Sequence, residues 1–143
     1  MEIKKILVPV DFSENSKKIL GSASDIAEKF GAALSVVFVV QSFDDYSGFF
    51  VPHMPVAQFE EEMVQGAEQK MASFLSDYAG LESKVLVGDV GEEVVRHAED
   101  AGIDMIIMGT HGYRGIEKVM FGSVAEKVVK TAPCPVLTIN PYK

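Results

Sequence analysis

Two stretches of this 143-residue chain combine residue types and spacings that could do chemistry. The first has the spacing Gly109-x2-Gly112-x9-Gly122-Ser123 and contains Thr110 and His111. It follows an apolar run of strand length and precedes a helical pattern. Glycine lets a ligand approach the backbone closely, and a helix start offers unpaired N–H groups and the positive end of a dipole, which suit phosphate. Residues 111–130 carry Arg114, Lys118, Lys127 and Lys130 against Glu117 and Glu126, a local positive surplus that would favour the same ligand. The second stretch is Pro9-Val-Asp-Phe-Ser13. Asp11 there could accept from a ribose or adenine donor, help hold a metal, or only cap the first helix and orient its loop. The glycines have a plainer reading too, as turn residues. Ser123-Val-Ala-Glu126 reads as a capping box, and a hydroxyl that caps its own helix is less free to meet phosphate, although the backbone N–H groups remain. Spacing alone leaves both readings open.

Other chemistries find less support. The chain lacks Gly-x4-Gly-Lys-Ser/Thr, and no Gly-x-Gly-x-x-Gly follows the first strand, so neither the P-loop nor the dinucleotide fingerprint is present. Gly-x-Ser-x-Gly is missing as well. His53, His97 and His111 share no metal-like spacing with one another or with Cys134. His97 is expected on a helix surface, His111 in an exposed loop, and Cys134 as a small buried residue between two prolines.

These residues must be positioned by a fold, and the chain alternates strand and helix patterns throughout. Strands are expected at 3–8, 34–40, 83–88, 104–108 and 136–139, the second a valine-rich run suited to burial on both faces. Helices are expected from 13–14 to Gly31, over 58–79 before Gly80, from an Asp89 cap to 101, and from Gly122-Ser123 to about 132, with a short turn at 116–121. Ile19, Ala23, Ile26, Ala27 and Phe30 form the apolar stripe of the first helix. Phe59, Met63, Ala67, Met71, Phe74, Leu75 and Tyr78 form that of the second. Residues 41–56, with Tyr46, Phe49 and Phe50, read as a long loop. Strict alternation implies a single α/β domain built on a parallel sheet with helices on both faces. Ligands of such sheets sit beyond the carboxyl ends of the strands.

Composition is that of a soluble globular protein, with 48% hydrophobic and 24% charged residues. The net charge of −8 argues against nucleic acid or an anionic membrane as partner. The single cysteine rules out an internal disulfide framework. No apolar run is long enough to span a bilayer and the N-terminus lacks a signal-peptide shape, so a cytoplasmic location is expected.

The chain as a whole, 1–143, resembles the universal stress protein family. Ile6-Leu-Val-Pro-Val-Asp-Phe-Ser13, Gly88-Asp-Val-Gly-Glu-Glu93, the 104–112 stretch with Phe121-Gly-Ser-Val124, and Thr131-Ala-Pro-Cys-Pro-Val-Leu137 carry the likeness. It implies a Rossmann-like, adenine-nucleotide alpha-hydrolase-like fold with strand order 3-2-1-4-5, and a homodimer formed through 136–140. The glycine motif places the chain in the family's ATP-binding branch, with Mg or Mn accompanying the ATP. Under that resemblance Pro9, Val10 and Asp11 border the adenosine and Val39 packs on adenine. Met108 and Gly109 continue the wall, and Gly112, Gly122, Ser123 and Val124 hold the phosphates. Ala125 stands where many binding members carry a hydroxyl. The implied function is a stress-response or signalling module, with no catalytic residue assigned. The alternatives are a slow ATPase or self-phosphorylating protein, with Ser123 or Thr110 as acceptor, and a non-nucleotide interaction protein of the same fold.

Overall fold

The computed structural model describes residues 1–42, 56–110 and 122–143. Within them the order is β1 (Lys5–Pro9), α1 (Glu14–Phe30), β2 (Ala33–Gln41), α2 (Val56–Phe74), β3 (Glu82–Gly88), α3 (Val90–Asp100), β4 (Met105–Gly109), α4 (Ser123–Thr131) and β5 (Val136–Ile139). The strands form one parallel sheet in the order β3-β2-β1-β4-β5. The expected topology is therefore the observed one. Residues 43–55, the expected turn at 116–121, and His53, His111, Gly112, Arg114 and Lys118 lie outside the described residues.

Period-two alternation divides the core into two layers. Ile6, Val8 and Val10 of the β1 stretch, Val36 of β2 and Ile107 of β4 pack against Ile19, Leu20, Ala23 and Ala27 of α1 and against Met71 of α2 and Leu75 just beyond it. Leu7, Val37, Val39, Ile106 and Met108 point the other way, onto Val94 and Ala98 of α3 and Ala125 and Val128 of α4. β1 is central and its Ile6, Leu7 and Val8 are wholly buried, which explains why it reads as an unbroken apolar run.

The helix ends follow local chemistry. Ser13 caps α1 by accepting from Ser16 N–H, and Gly31 closes it in the left-handed conformation at φ 64°. α2 stops at Phe74 rather than at 79. Beyond it Ser76 N–H donates to Ser73 O and Tyr78 N–H to Leu75 O, a tighter turn that suits the backbone-competing Ser76-Asp77 pair. Two stripe residues are exposed. Met63 is 44% exposed beside an open groove of about 750 Å³ that Lys17 of α1 and several α2 residues line. Phe30, 53% exposed, is the last residue of α1, while Leu20, not part of the expected stripe, is buried in the core.

One backbone conformation stands out. Phe12, just after β1, has φ 65°, a left-handed value that costs an L-residue roughly 1–2 kcal/mol. Its ring stacks on Phe38 with centroids 4.4 Å apart and meets Phe74 edge-on at 5.6 Å. These contacts hold the turn in place. Phe12→Ala should lower the unfolding free energy by roughly 2–4 kcal/mol. Phe12→Gly loses the same ring but also relieves the strain, which alanine keeps, and should be about 1 kcal/mol more stable than the alanine variant. Urea unfolding of the two variants checks this, and an alanine variant as stable as the glycine one would show that the turn is unstrained.

Candidate functional site

The strand order reverses between β1 and β4, so the crevice that this architecture offers a ligand lies at their carboxyl ends. The β1 side of that edge is built by a ring of hydrogen bonds. Asp11 Oδ1 accepts from Ser13 N–H at 3.0 Å, from Ser16 Oγ at 2.7 Å and from Ser13 Oγ. Asp11 N–H in turn donates to Ser16 Oγ at 2.9 Å, and Ser16 N–H to Ser13 Oγ at 3.2 Å. Ser16 is the buried polar residue of α1, and the ring satisfies it. Asp11 thus does the loop-orienting job considered for it. Among the described residues no donor meets its Oδ2, which leaves one carboxylate oxygen for a ligand. Sequence reasoning overlooked Ser16, although Asp-x-Ser-x-x-Ser is the spacing of an aspartate turn running into a capped helix.

The β4 side is built by the start of α4. Thr110 N–H extends the sheet by donating to Ile139 O at 2.9 Å, and Gly122 N–H donates to Thr110 O at 2.8 Å. The helix start is thereby held against the end of β4. The cap residue is Gly122, at φ −71° and ψ 160°, and no side chain caps the helix. This corrects the capping-box reading: Ser123 is the first helical residue, exposed, and its hydroxyl is not committed to the cap. The first N–H groups of a helix have no partner within it. Here no described side chain supplies one.

The remaining candidates divide by sheet face. Val39 and Met108, 7% and 5% exposed, share the α3/α4-side core with Ala125, and Val124 packs against it. They could offer a ligand a narrow apolar edge beside the α4 start. Val10 faces the opposite core and its N–H is bonded to Val37 O at 2.9 Å, so its side chain cannot join them. Pro9, Gly109 and Gly122 are half-buried. Ala125 is 3% exposed, so its Cβ belongs to the core.

The expected positive surplus is not available in the form the sequence suggested. Lys127 Nζ reaches back to Asp89 at 3.0 Å and to Glu92 at 3.1 Å, tying α4 to the start of α3. Lys130 pairs with Glu126 at 2.8 Å. The Glu92 backbone N–H and then Lys127 hold the Asp89 carboxyl below its ordinary range, and Asp89 and then Glu92 raise the Lys127 ammonium. Gly91 makes room for this clamp, since a Cβ there would stand 2.8 Å from Lys127 Cδ. A count of charges along the chain cannot see that these two lysines already have carboxylate partners.

Two further expectations need adjusting. His97 is half-buried rather than on the surface, and burial pushes its imidazole below the ordinary range, with the Lys84 ammonium acting the same way and Asp100 against. Cys134 is half-buried, and burial followed by Asp104 pushes its thiol up. That disfavours the thiolate a nucleophile needs. Among the described residues no three His, Cys, Asp or Glu side chains gather as a metal site, and no helix is long and apolar enough to cross a membrane.

The sequence and fold of the chain are matched by known proteins. Residues 2–140 match the universal stress protein family. The chain belongs to that family. It is 33% identical to universal stress protein MJ0531 of Methanocaldococcus jannaschii, an alignment covering 98% of this chain and 84% of the relative. The solved structure of MJ0577 from the same organism superposes with a TM-score of 0.81 at 29% identity, covering 98% of this chain and 97% of the other. The universal stress protein of Archaeoglobus fulgidus, solved in complex with dAMP, shares the fold with a TM-score of 0.56 at 22% identity, covering 97% and 99% of the two chains.

The cap assignments at the two helix starts can be separated by substitution. Ser13→Ala removes a working cap and should cost about 1 kcal/mol. Ser123→Ala removes an uncommitted hydroxyl and should leave stability within about 0.5 kcal/mol of the parent. Thermal and urea unfolding measure both, and equal losses would restore Ser123 to the cap.

Proposed function

We propose that this universal stress protein binds ATP at the carboxyl edge of its sheet and acts as a nucleotide-responsive module in stress response or signalling. The observation that carries the reading is the start of α4. It is capped by a glycine without a side-chain partner and held by the Gly122–Thr110 bond beside the strand-order switch point. That combination leaves helix N–H groups for phosphate oxygens. Asp11 Oδ2 is the acceptor for ribose or base, and Val39 with Met108 supplies the apolar edge for adenine. Pro9 and Val10 border the nucleoside through the backbone, Gly109 continues the wall, and Gly112 joins Gly122, Ser123 and Val124 around the phosphates. The dAMP complex of the Archaeoglobus fulgidus protein supports an adenine nucleotide at the level of the fold. Magnesium or manganese would take most of its ligands from the phosphates and water, with Asp11 as the carboxylate at this edge.

The phosphate grip is mainly backbone, which gives it a distinctive mutational signature. A Cβ at Gly122 would lie 3.7 Å from Thr110 O, an ordinary contact, so the fold tolerates a side chain there. Gly122→Val should fold yet bind ATP at least tenfold more weakly, by crowding the approach to the N–H groups. Ser123→Ala should stay within about threefold of the parent, because neutral hydroxyl contacts are worth little beside the backbone set. Isothermal titration with ATP and Mg²⁺ after removal of any co-purified nucleotide decides the matter. Absence of ATP binding at millimolar concentration refutes the proposal, and normal binding by Gly122→Val moves the phosphates elsewhere.

The same reading includes a homodimer through residues 136–140. Among the described residues β5 is an edge strand paired only with β4, and Leu137 of β5 and Val129 of α4 are 38% and 48% exposed. Covering such an edge protects it from indiscriminate pairing. Leu137→Glu should convert the dimer to a monomer in light scattering at micromolar concentration. A parent chain that is itself monomeric under those conditions disproves this interface.

A further inference from the structure

The amino edge of the sheet, opposite the carboxyl-edge site, carries a second cavity, of about 600 Å³. It is lined wholly by described residues from β1, β2, β3, the turn before β3, and the end of α3 with the residues just beyond it. Side-chain parity shows how it is made. Lys5 shares a face with Leu7, Ser35 with Val37, and Lys84 with Leu86, all on the α3/α4 side of the sheet. Three adjacent strands therefore present Lys5, Ser35 and Lys84 on one surface, with Glu82 directly opposite Ser35 and the Ser35 hydroxyl donating to Ile6 O at 3.3 Å, and α3 supplies His97 as the wall.

We propose that this cleft, floored by Lys5, Ser35 and Lys84 and walled by His97, is a binding site for the phosphate or carboxylate group of a small anionic metabolite. In a chain of net charge −8, the side chains lining the cavity include two lysines and a histidine against one acid, Glu82. The Lys84 and His97 side chains make no hydrogen bond or ion pair with a described residue, unlike those of Lys127 and Lys130, which are spent on Asp89, Glu92 and Glu126. The carbonyl end of α3 would repel an anion. Lys5 Nζ answers it by donating to Ala101 O at 3.2 Å. The size is within the range of small-molecule sites.

The site has a sign-definite pH dependence. The groups around His97 are Lys84 and Glu82 of β3, Lys5 of β1, and Glu93, Arg96 and Asp100 of α3, with Arg96 occupied by Glu93. Burial and Lys84 keep the empty-site imidazole neutral at neutral pH. An anion favours the imidazolium. On the protein side binding therefore takes up a proton, so the affinity for an anion of fixed charge tightens as pH falls from neutral towards the His97 pKa of the complex.

The test uses the full chain and follows the His97 ring by two-dimensional NMR, its signal assigned by elimination with His53→Gln and His111→Gln. Inorganic phosphate and, separately, succinate are titrated at an ionic strength held constant with sodium chloride. Either anion should shift the His97 signal saturably and raise its pKa; which of the two is tighter identifies the headgroup. Lys84→Gln should weaken the tighter anion about tenfold, the scale of one charge-assisted hydrogen bond. Glu82→Gln should strengthen it severalfold. The absence of a saturable shift with both anions, an equal shift with sodium chloride alone, or an undiminished response in Lys84→Gln overturns the site.

Discussion

The hydrogen-bond ring of Asp11, Ser13 and Ser16 is the constraint on which the architecture of the carboxyl edge depends. β1 is the central strand, buried on both faces, and the chain must leave it without breaking either core layer. The ring turns the backbone within a few residues, caps α1 and satisfies the buried Ser16 hydroxyl. Phe12 is the residue forced into the left-handed region by so tight an exit. Strain of this kind persists only where the surroundings over-determine it, and it gathers at functional edges. Phe12, stacked on Phe38 and meeting Phe74 edge-on, receives that over-determination from the α1/α2 side, which leaves the opposite face of the turn to the strand-order switch point.

The two walls of the switch-point crevice are built on different principles. On the β1 side a carboxylate is immobilised by side-chain hydroxyls, so its remaining oxygen has a defined direction. On the β4 side the rigid part is backbone: Ile139 O to Thr110, Thr110 O to Gly122, Gly122 O to Glu126. A helix start fixed through its own main chain keeps its N–H groups aimed without using a side chain, and the glycine cap keeps the approach to them clear. Preorganised donors of this sort bind without the entropic cost of ordering long side chains.

Much of this was legible in the sequence, for physical reasons that differ by element. The five strands were readable because a parallel sheet covered on both faces demands continuous apolar runs, as in Val36-Val-Phe-Val-Val40. The caps at Ser13, Gly31 and Asp89 were readable because capping is chemistry between residues a few positions apart. Ser123 was misread for the converse reason. The local pattern fits a capping box, but a tertiary bond from Gly122 to the end of β4 moves the helix start, and with it the identity of the cap. Met63 fits the α2 stripe by period and yet borders an open groove, since periodicity reports which face of a helix is apolar and not whether a neighbour reaches it. Val10 sits inside the right motif, but strand parity turns its side chain to the other core.

Electrostatics was the least legible layer, and it changes how the two edges compare. Lys127 and Lys130 stand close in sequence to the glycine motif, which suggested a cationic cradle for a triphosphate. In the fold both are neutralised by carboxylates, Lys127 in binding α4 to α3 over the bare backbone of Gly91. Of the cations in the described part of that stretch, neither is left over, so attraction for phosphate must come from oriented N–H groups, whose reach ends within the first helical turn. Such a site selects by shape and contact more than by long-range charge. Lys5 and Lys84, whose ammonium groups have no carboxylate partner among the described residues, line one cavity at the opposite edge of the sheet, from β1 and β3, on the same face but four residues apart in register. Their separation in sequence hid a shared face that only the strand pairing reveals.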